Sequence, residues 1–147
     1  MTTPAWETEF SIDIEADPRF AWAFMSDVAN WNDPPAEFHL EGPFVAGAQG
    51  YTQFPGQPAQ SWRLTDVQPS ESYTLEFALN QASLVFTWRF ASANGGARLT
   101  QHIALRGENV AEYIEQVRST FSANLEPGMN RIGRLIDQAF SEQSNIL

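Results

Sequence analysis

Two histidines, His39 and His102, are the side chains of this sequence best suited to general acid–base chemistry near neutral pH. In the strand pattern described below, His39 shares a face with Glu37 and Glu41, and His102 shares a face with Arg98 and Arg106. This alternation favours the outer, solvated face of a sheet for both rings, although a β-bulge would turn either one inward. Catalysis would need a titratable group that faces the interior, and His39, His102 and Asp66 are the candidates.

This sequence contains few residues that are suited to covalent catalysis or metal binding. There is no cysteine and no lysine, which excludes a thiol nucleophile, a zinc–thiolate site and a Schiff base. The two histidines lack an H-E-x-x-H motif, and neither a G-x-S-x-G motif nor a nucleotide-binding glycine motif occurs. We therefore expect no metal site and no cofactor.

The formal net charge is −10, from 18 acidic residues against 8 arginines, so the basic surface that nucleic-acid binding requires is missing. An anionic membrane surface is disfavoured for the same reason. No stretch approaches the ~20 apolar residues of a membrane-spanning helix, so stable membrane insertion is not expected. The first residues do not resemble a signal peptide, and the expected location is the cytoplasm.

The elements that must position these residues are visible in the apolar pattern. Apolar residues alternate from Trp6 to Ile14, which predicts a first strand. Asp17 followed by Pro18 is a strong helix start, and the helix is expected to stop near Asn30, with a helical continuation to about residue 35. Six further alternating runs predict strands at about 37–44, 49–54, 60–68, 72–80, 83–92 and 97–106.

A helical period begins at Asn109 and continues to Phe140. Asn109 with Glu112 is close to a capping box, and Pro127 is expected to kink the helix. The order is therefore one strand, one or two short helices, a run of antiparallel strands and one long helix. This order predicts a single α+β domain, residues 1–147, in which the long helix packs on the face of a curved sheet.

This order, and three segments within it, resemble the START-related helix-grip superfamily (SRPBCC), which includes birch-pollen-allergen-like proteins and polyketide cyclases. FSIDIEADPRFAWAFMSDVANW is similar to the superfamily's first strand and helix start, with its trailing Asp27 and Trp31. WRLTDVQPSESYTLEF is similar to a common V-x-E-V-x-P-x-x-x-L segment. NGGARLTQHIALRG is similar to the G-T-R-V-T segment before the last helix, with Ala97 where many members have threonine. The resemblance extends from about Thr8 to Phe140.

The resemblance implies a curved antiparallel sheet of about seven strands that grips the C-terminal helix, with a deep apolar cavity between them. Members carry sterols, lipids, quinones, hormones or polyketides, some cyclise or dehydrate them, and some bind protein partners instead. The fold by itself does not select among these functions.

On this fold, strand alternation assigns a set of mainly aromatic side chains to contact with a ligand. The sheet contributes Phe38, Tyr51, Gln53, Trp62, Tyr73, Phe77, Phe86, Trp88, Phe90 and Gln101, and the long helix contributes Phe121, Leu125 and Met129. Leu75, Ile103 and Ile132 belong to the same inner set. Its polar members would orient the ligand, and the alternative interpretation is that the same rings pack as a solid core.

Three functions are compatible with this pattern. The first is binding or transport of a small apolar ligand (a lipid, sterol, quinone or aromatic polyketide-like molecule) in the aromatic cavity. The second is a cyclase/dehydratase-type enzyme, which requires a titratable group facing the cavity. The third is a protein-interaction module similar to the Hsp90-activator branch, with a solid core and an exposed apolar patch. The sequence leaves open whether a homodimer shares the cavity.

Overall fold

The computed structural model describes residues 4–146, and this part of the chain folds into strands followed by a long helix. The strands are β1 Trp6–Ile14, β2 Glu37–Glu41, β3 Gln49–Gln53, β4 Gln60–Gln68, β5 Ser72–Leu79, β6 Ala82–Ala93 and β7 Gly96–Gly107. The helices are α1 Pro18–Met25 and α2 Ile114–Ile146, with short 3₁₀ helices at Val28–Trp31 and Val110–Glu112.

The seven strands form one sheet in the order β1-β7-β6-β5-β4-β3-β2, and every neighbouring pair is antiparallel. The sheet and the long C-terminal helix confirm the predicted α+β helix-grip architecture. Each strand expected from the alternation is present, and the largest difference is that β2 ends at Glu41 instead of residue 44. Gly42 follows with a positive φ of 87°, a conformation that favours glycine and turns the chain out of the sheet.

The first helix begins where the sequence predicts, but it ends before the predicted residue. The carboxylate of Asp17 accepts from the amide of Phe20 at 2.7 Å, and Pro18 occupies the first helical position. The helix ends at Met25 instead of near Asn30, because extended Asp27 starts a new 3₁₀ turn and caps it through the amide of Ala29. That turn ends at Trp31, so the predicted helical continuation to residue 35 is wrong.

The long helix starts at Ile114, five residues after the predicted N-cap Asn109. Asn109 uses its side-chain amide to donate to the carbonyl of Asn80 at 3.2 Å and to Glu112 Oε2 at 2.6 Å, and it caps no helix with its side chain. A short 3₁₀ turn therefore precedes α2. The helix then runs 33 residues without interruption, with Pro127 inside it.

The outer face of the sheet carries ion pairs between strands. Asp13 accepts from Arg98 at 2.7 Å, which lowers the pKa of the carboxyl below its usual value. Glu9 pairs with Arg89 at 2.5 Å. Two acids of β1, Glu9 and Asp13, are thus paired with basic groups on β6 and β7. Among residues 4–146, no helix is both long and apolar enough to span a bilayer.

The C-terminal half of α2 is fixed to the junction between β1 and α1. The Asp137 carboxylate accepts from the backbone amides of Glu15 and Ala16 at 3.0–3.1 Å. One turn earlier, a Cβ at Gly133 would lie 2.7 Å from Ile12 Cδ1, so the absence of a side chain lets the helix approach the strand. These contacts set the height of the helix above the sheet.

Replacing Asp137 with alanine should therefore destabilise the fold. The variant removes the charged acceptor of two backbone amides, the exposed one of Glu15 and the partly buried one of Ala16, and we expect the free energy of unfolding to fall by about 1.5–3 kcal/mol. Urea unfolding followed by circular dichroism measures this change. The control is Glu126→Ala, which removes an exposed carboxylate from the same helix and should change stability by less than about 0.5 kcal/mol. Equal effects of the two substitutions would contradict the docking role.

Candidate ligand cavity

A cavity of about 400 Å³ lies between the concave face of the sheet and α2. This volume is within the range of about 300–1,000 Å³ that is typical of small-molecule sites. Its wall is mostly apolar and aromatic. Of the residues assigned to ligand contact from the sequence, the wall contains Phe38, Trp62, Tyr73, Phe77, Phe86, Trp88, Gln101, Phe121 and Leu125.

Strand register explains why these residues meet. Tyr73 on β5 pairs with Trp88 on β6, and Trp88 pairs with Gln101 on β7, so the three side chains form one row on the inner face. Phe86 is the centre of the next row, between Leu75 and Ile103. Side chains of paired residues point to the same face of a sheet. Once one residue of a row is known to face inward, its partners on the neighbouring strands therefore face inward as well.

The assignment of Tyr51 and Gln53 to the inner face is wrong, because β3 has the opposite alternation. Gly50 and Thr52 face inward, where the indole of Trp62 occupies the space: a Cβ at Gly50 would lie 2.4 Å from that ring. Thr52 Oγ1 accepts from Trp62 Nε1 at 3.1 Å. The inner face of β3 therefore has room only for small residues such as Gly50 and Thr52, and the aromatic side chain of Tyr51 lies on the outer face.

On the outer side, Tyr51 stacks on His39 with ring centroids 4.8 Å apart. The amide of Gln53 donates to the carbonyls of Phe54 and Gln57 at 3.0 and 2.7 Å. Gln53 thus holds the turn after β3 and does not line the cavity.

Phe90 and Met129 are buried, but they do not line the cavity. Phe90 packs against Trp22 of α1, with centroids 5.4 Å apart, and against Tyr73 at 6.1 Å. Met129 is 1% exposed within the hydrophobic core. The aromatic side chains of α1 fill this end of the sheet, which sequence alternation on the strands does not indicate.

Trp31, at the exit of the first helical region, closes one end of the cavity. Its indole lies 5.7 Å from the ring of Tyr73 with an interplanar angle of 12°, and 5.4 Å from that of Trp62. Trp31 Nε1 donates to the carbonyl of Met25 at 2.7 Å, so its polar atom is satisfied within the protein. The two indoles therefore offer apolar surface to the interior.

The remaining wall residues were not identified from the sequence: they are Met25, Thr52, Phe54, Gln60, Asn124 and Gly128. Gln60, Asn124 and Gly128 are exposed as well as cavity-lining, so they mark a mouth between the β3–β4 turn and the middle of α2. A Cβ at Gly128 would meet no atom within 4 Å. The sequence signal for this mouth was Pro127-Gly128, which we interpreted only as a kink.

Tyr73 is the one titratable side chain among the described residues that line the cavity. It is 1% exposed, and burial raises the pKa of its phenol well above the usual value of 10. None of the described residues hydrogen-bonds its hydroxyl group. The other polar groups of the wall are neutral: the hydroxyl of Thr52 and the amides of Gln60, Gln101 and Asn124.

The three candidate acid–base residues lie outside the cavity. The side chain of His39 is 48% exposed, and His102 Nε2 is 3.5 Å from Glu7 Oε2 on the outer face, which confirms the predicted outward orientation of both histidines. Asp66 is exposed and accepts from Gln68. Within the described part of the chain, no group of three or more histidine or acidic side chains could hold a metal ion.

The sheet, the long helix and the cavity between them define a helix-grip protein of the SRPBCC type. The sequence profile of the family described as polyketide cyclase / dehydrase and lipid transport matches residues 5–136, and the chain belongs to this family. No curated protein matches the sequence significantly.

Solved structures share the fold at low sequence identity. MLL2253 from Mesorhizobium loti has a TM-score of 0.73 at 11% identity, with 90% of this chain and 98% of that chain covered. Ara h 8.0201 gives 0.70 at 12% identity over 89% and 97% of the two chains. Norcoclaurine synthase from Thalictrum flavum gives 0.70 at 12% identity over 92% and 94%, and a structure of that enzyme holds dopamine and hydroxybenzaldehyde. At these identities the likeness concerns the fold.

The buried phenol predicts a specific response to alkali. Because burial raises the pKa of Tyr73, the folded chain keeps this proton after the unfolded chain has lost it. The stability associated with neutral Tyr73 is complete below the unfolded value of about 10 and is lost as the pH rises above it. We therefore expect wild type to lose stability more steeply than Tyr73→Phe between about pH 9 and pH 11.

Urea unfolding at a series of pH values measures these slopes. Tyr51→Phe, which makes the same change on the outer face, is the control for the loss of a phenol oxygen. Identical slopes for Tyr73→Phe and wild type would contradict the buried, neutral state of Tyr73.

Proposed function

We propose that this protein binds a small apolar ligand, of the lipid, sterol, quinone or aromatic polyketide-like kind, in the cavity between the sheet and α2. The observation that carries this proposal is an aromatic cavity of about 400 Å³ whose wall holds neutral polar groups and no ionised side chain among the described residues. A ligand would be held mainly by transfer of its apolar surface from water. An aromatic group that buries about 150–250 Å² gains roughly 4–6 kcal/mol before ordering costs.

Binding is favoured over acid–base catalysis by the placement of the titratable groups. The enzyme hypothesis requires one of them to face the cavity, whereas His39, His102 and Asp66 are on the outer face. Tyr73 faces the cavity, but a phenol is a neutral hydrogen-bond donor at physiological pH, and burial raises its pKa still further above that pH. A neutral phenol can orient a carbonyl or hydroxyl group without accepting a proton.

The described surface supports the protein-interaction hypothesis less well than the cavity supports ligand binding. It requires a solid core and an exposed apolar patch, and large patches are the usual mark of such sites. Among the residues whose exposure is described, Val45 is the only large hydrophobic residue that is clearly exposed, at 49%. A single valine does not make a docking surface, whereas the interior contains open space.

Native mass spectrometry of the protein purified from its own host tests this function first. We expect an excess mass of a few hundred daltons over the denatured chain, released on unfolding, because the cavity has the size of a small-molecule site. The released compound then identifies the ligand class. Equal native and denatured masses, together with no uptake of added sterols, quinones, fatty acids or aromatic polyketides, would contradict the proposal.

Blocking the mouth should separate binding from folding. In Gly128→Leu the new side chain enters open space at the cavity wall, so ligand uptake should fall at least about tenfold. Stability should stay the same or rise by about 0.5–1 kcal/mol, because leucine favours a helix more than glycine does.

Gly128→Ala is the matched control, because it gains helix propensity and adds only one methyl group. It should be stabilised to a similar extent and retain uptake of the neutral dye N-phenyl-1-naphthylamine. Titration of the dye's fluorescence and urea unfolding measure the two properties. Undiminished uptake by Gly128→Leu would place the ligand elsewhere.

A further inference from the structure

The Tyr73 side chain is buried, and its hydroxyl group has no hydrogen-bond partner among the described residues. Tyr73 is 1% exposed and lies in the cavity wall, and none of the described residues hydrogen-bonds its oxygen. Among the described residues, Arg106 Nε is the one fully enclosed side-chain polar atom without a partner, so the unpartnered Tyr73 oxygen keeps some accessible surface. A ligand or a water molecule in the cavity is the partner that this position leaves available.

The phenol is held in a fixed orientation by neighbouring rings. The ring of Tyr73 is nearly parallel to that of Trp31 (5.7 Å, 12°) and to that of Trp88 (6.3 Å, 10°), and Phe44 meets it edge-on at 5.1 Å. A hydroxyl group on a ring held in this way is preorganised, so a ligand that accepts a hydrogen bond from it pays little additional ordering cost.

The cavity has no group that could compensate a negative charge. The wall residues that the structure describes include no arginine and no histidine, and the sequence has no lysine. Arg89 and Arg98 are engaged with acids on the outer face, and Arg131 of α2 lies 3.5 Å from Asp33. A carboxylate moved into this space would lose its hydration without gaining a counter-charge, so its binding is disfavoured.

We propose that the cavity selects uncharged aromatic ligands that carry a hydrogen-bond acceptor, and that the Tyr73 hydroxyl donates to this acceptor. The inference rests on the proposed function and narrows it. Carboxylate-bearing lipids and ionised phenols are disfavoured, whereas neutral ketones, quinones and esters are favoured. The net charge of −10 acts in the same direction, because it repels anions before they reach the mouth.

Three naphthalenes of nearly equal shape test the proposed preference for uncharged ligands over anions, which we call the charge rule. 2-Acetonaphthone is neutral with a carbonyl acceptor, 2-naphthoate is an anion at neutral pH, and 2-ethylnaphthalene has no acceptor. Their affinities are measured by displacement of N-phenyl-1-naphthylamine from the wild-type protein. We expect 2-acetonaphthone to bind at least about tenfold more tightly than 2-naphthoate. It should also bind about 2- to 10-fold more tightly than 2-ethylnaphthalene.

The Tyr73→Phe variant tests the donor. It removes one oxygen and keeps the ring, so it should abolish the preference for 2-acetonaphthone over 2-ethylnaphthalene. Tyr51→Phe makes the same substitution outside the cavity and should keep the wild-type preference. Circular dichroism and urea unfolding establish that both variants are folded.

The outcomes separate the inference from the proposed function. Equal affinities for 2-naphthoate and 2-acetonaphthone would overturn the charge rule, and an unchanged preference in Tyr73→Phe would overturn the role of its hydroxyl. In both cases the cavity would still be a binding site. Absence of uptake of the neutral dye by the ligand-free wild-type protein would instead overturn the proposed function and the inference with it.

Discussion

The cavity depends on the way in which α2 is held above the sheet at its two ends. Near its C-terminal half, Asp137 accepts from the amides at the end of β1, and Gly133 permits close approach to Ile12. Before its first turn, the hydroxyl of Tyr113 accepts from the amide of Asn80 at 3.1 Å, in the turn between β5 and β6. The helix is therefore fixed at both ends, and its middle spans the concavity without collapsing onto it.

This arrangement divides the chain's polar groups between two faces. The outer face of β1, β6 and β7 carries the paired acids and arginines, where water screens them and each pair contributes little to stability. The inner face carries rings, aliphatic side chains and a few neutral hydrogen-bonding groups. A charge on the inner face would be unpaired and desolvated, so the same physical cost that shapes the fold also defines which ligands the interior can accept.

The few polar atoms of the interior differ in whether they have a hydrogen-bond partner within the protein. The indole nitrogens of Trp31 and Trp62 are satisfied by Met25 and Thr52, so these residues contribute shape and apolar area. Tyr73 differs, because its hydroxyl has no partner among the described residues although its ring is packed on several sides. The proposed binding function therefore depends on aromatic surface for affinity and on a single neutral donor for orientation.

Much of the fold and part of the site were predictable from the sequence. The period-2 alternation predicted every strand, Asp17-Pro18 predicted the start of α1, and pairing of correctly phased strands placed the row of Tyr73, Trp88 and Gln101. The prediction from alternation was wrong for β3, because it placed the aromatic Tyr51 on the inner face. The pattern of one strand cannot show that Trp62 of its neighbour already fills the interior.

The sequence by itself therefore determined the order of the elements and the aromatic and largely uncharged character of the inner face, and it favoured an outward position for both histidines, because these follow from local periodicity. Only the tertiary structure decided that the rings enclose open space, that Phe90 and Met129 pack outside it, and that the mouth lies beside Gly128. These features depend on the distance between α2 and the sheet. That distance is set by contacts such as Asp137 with Glu15, which are 122 residues apart in the chain.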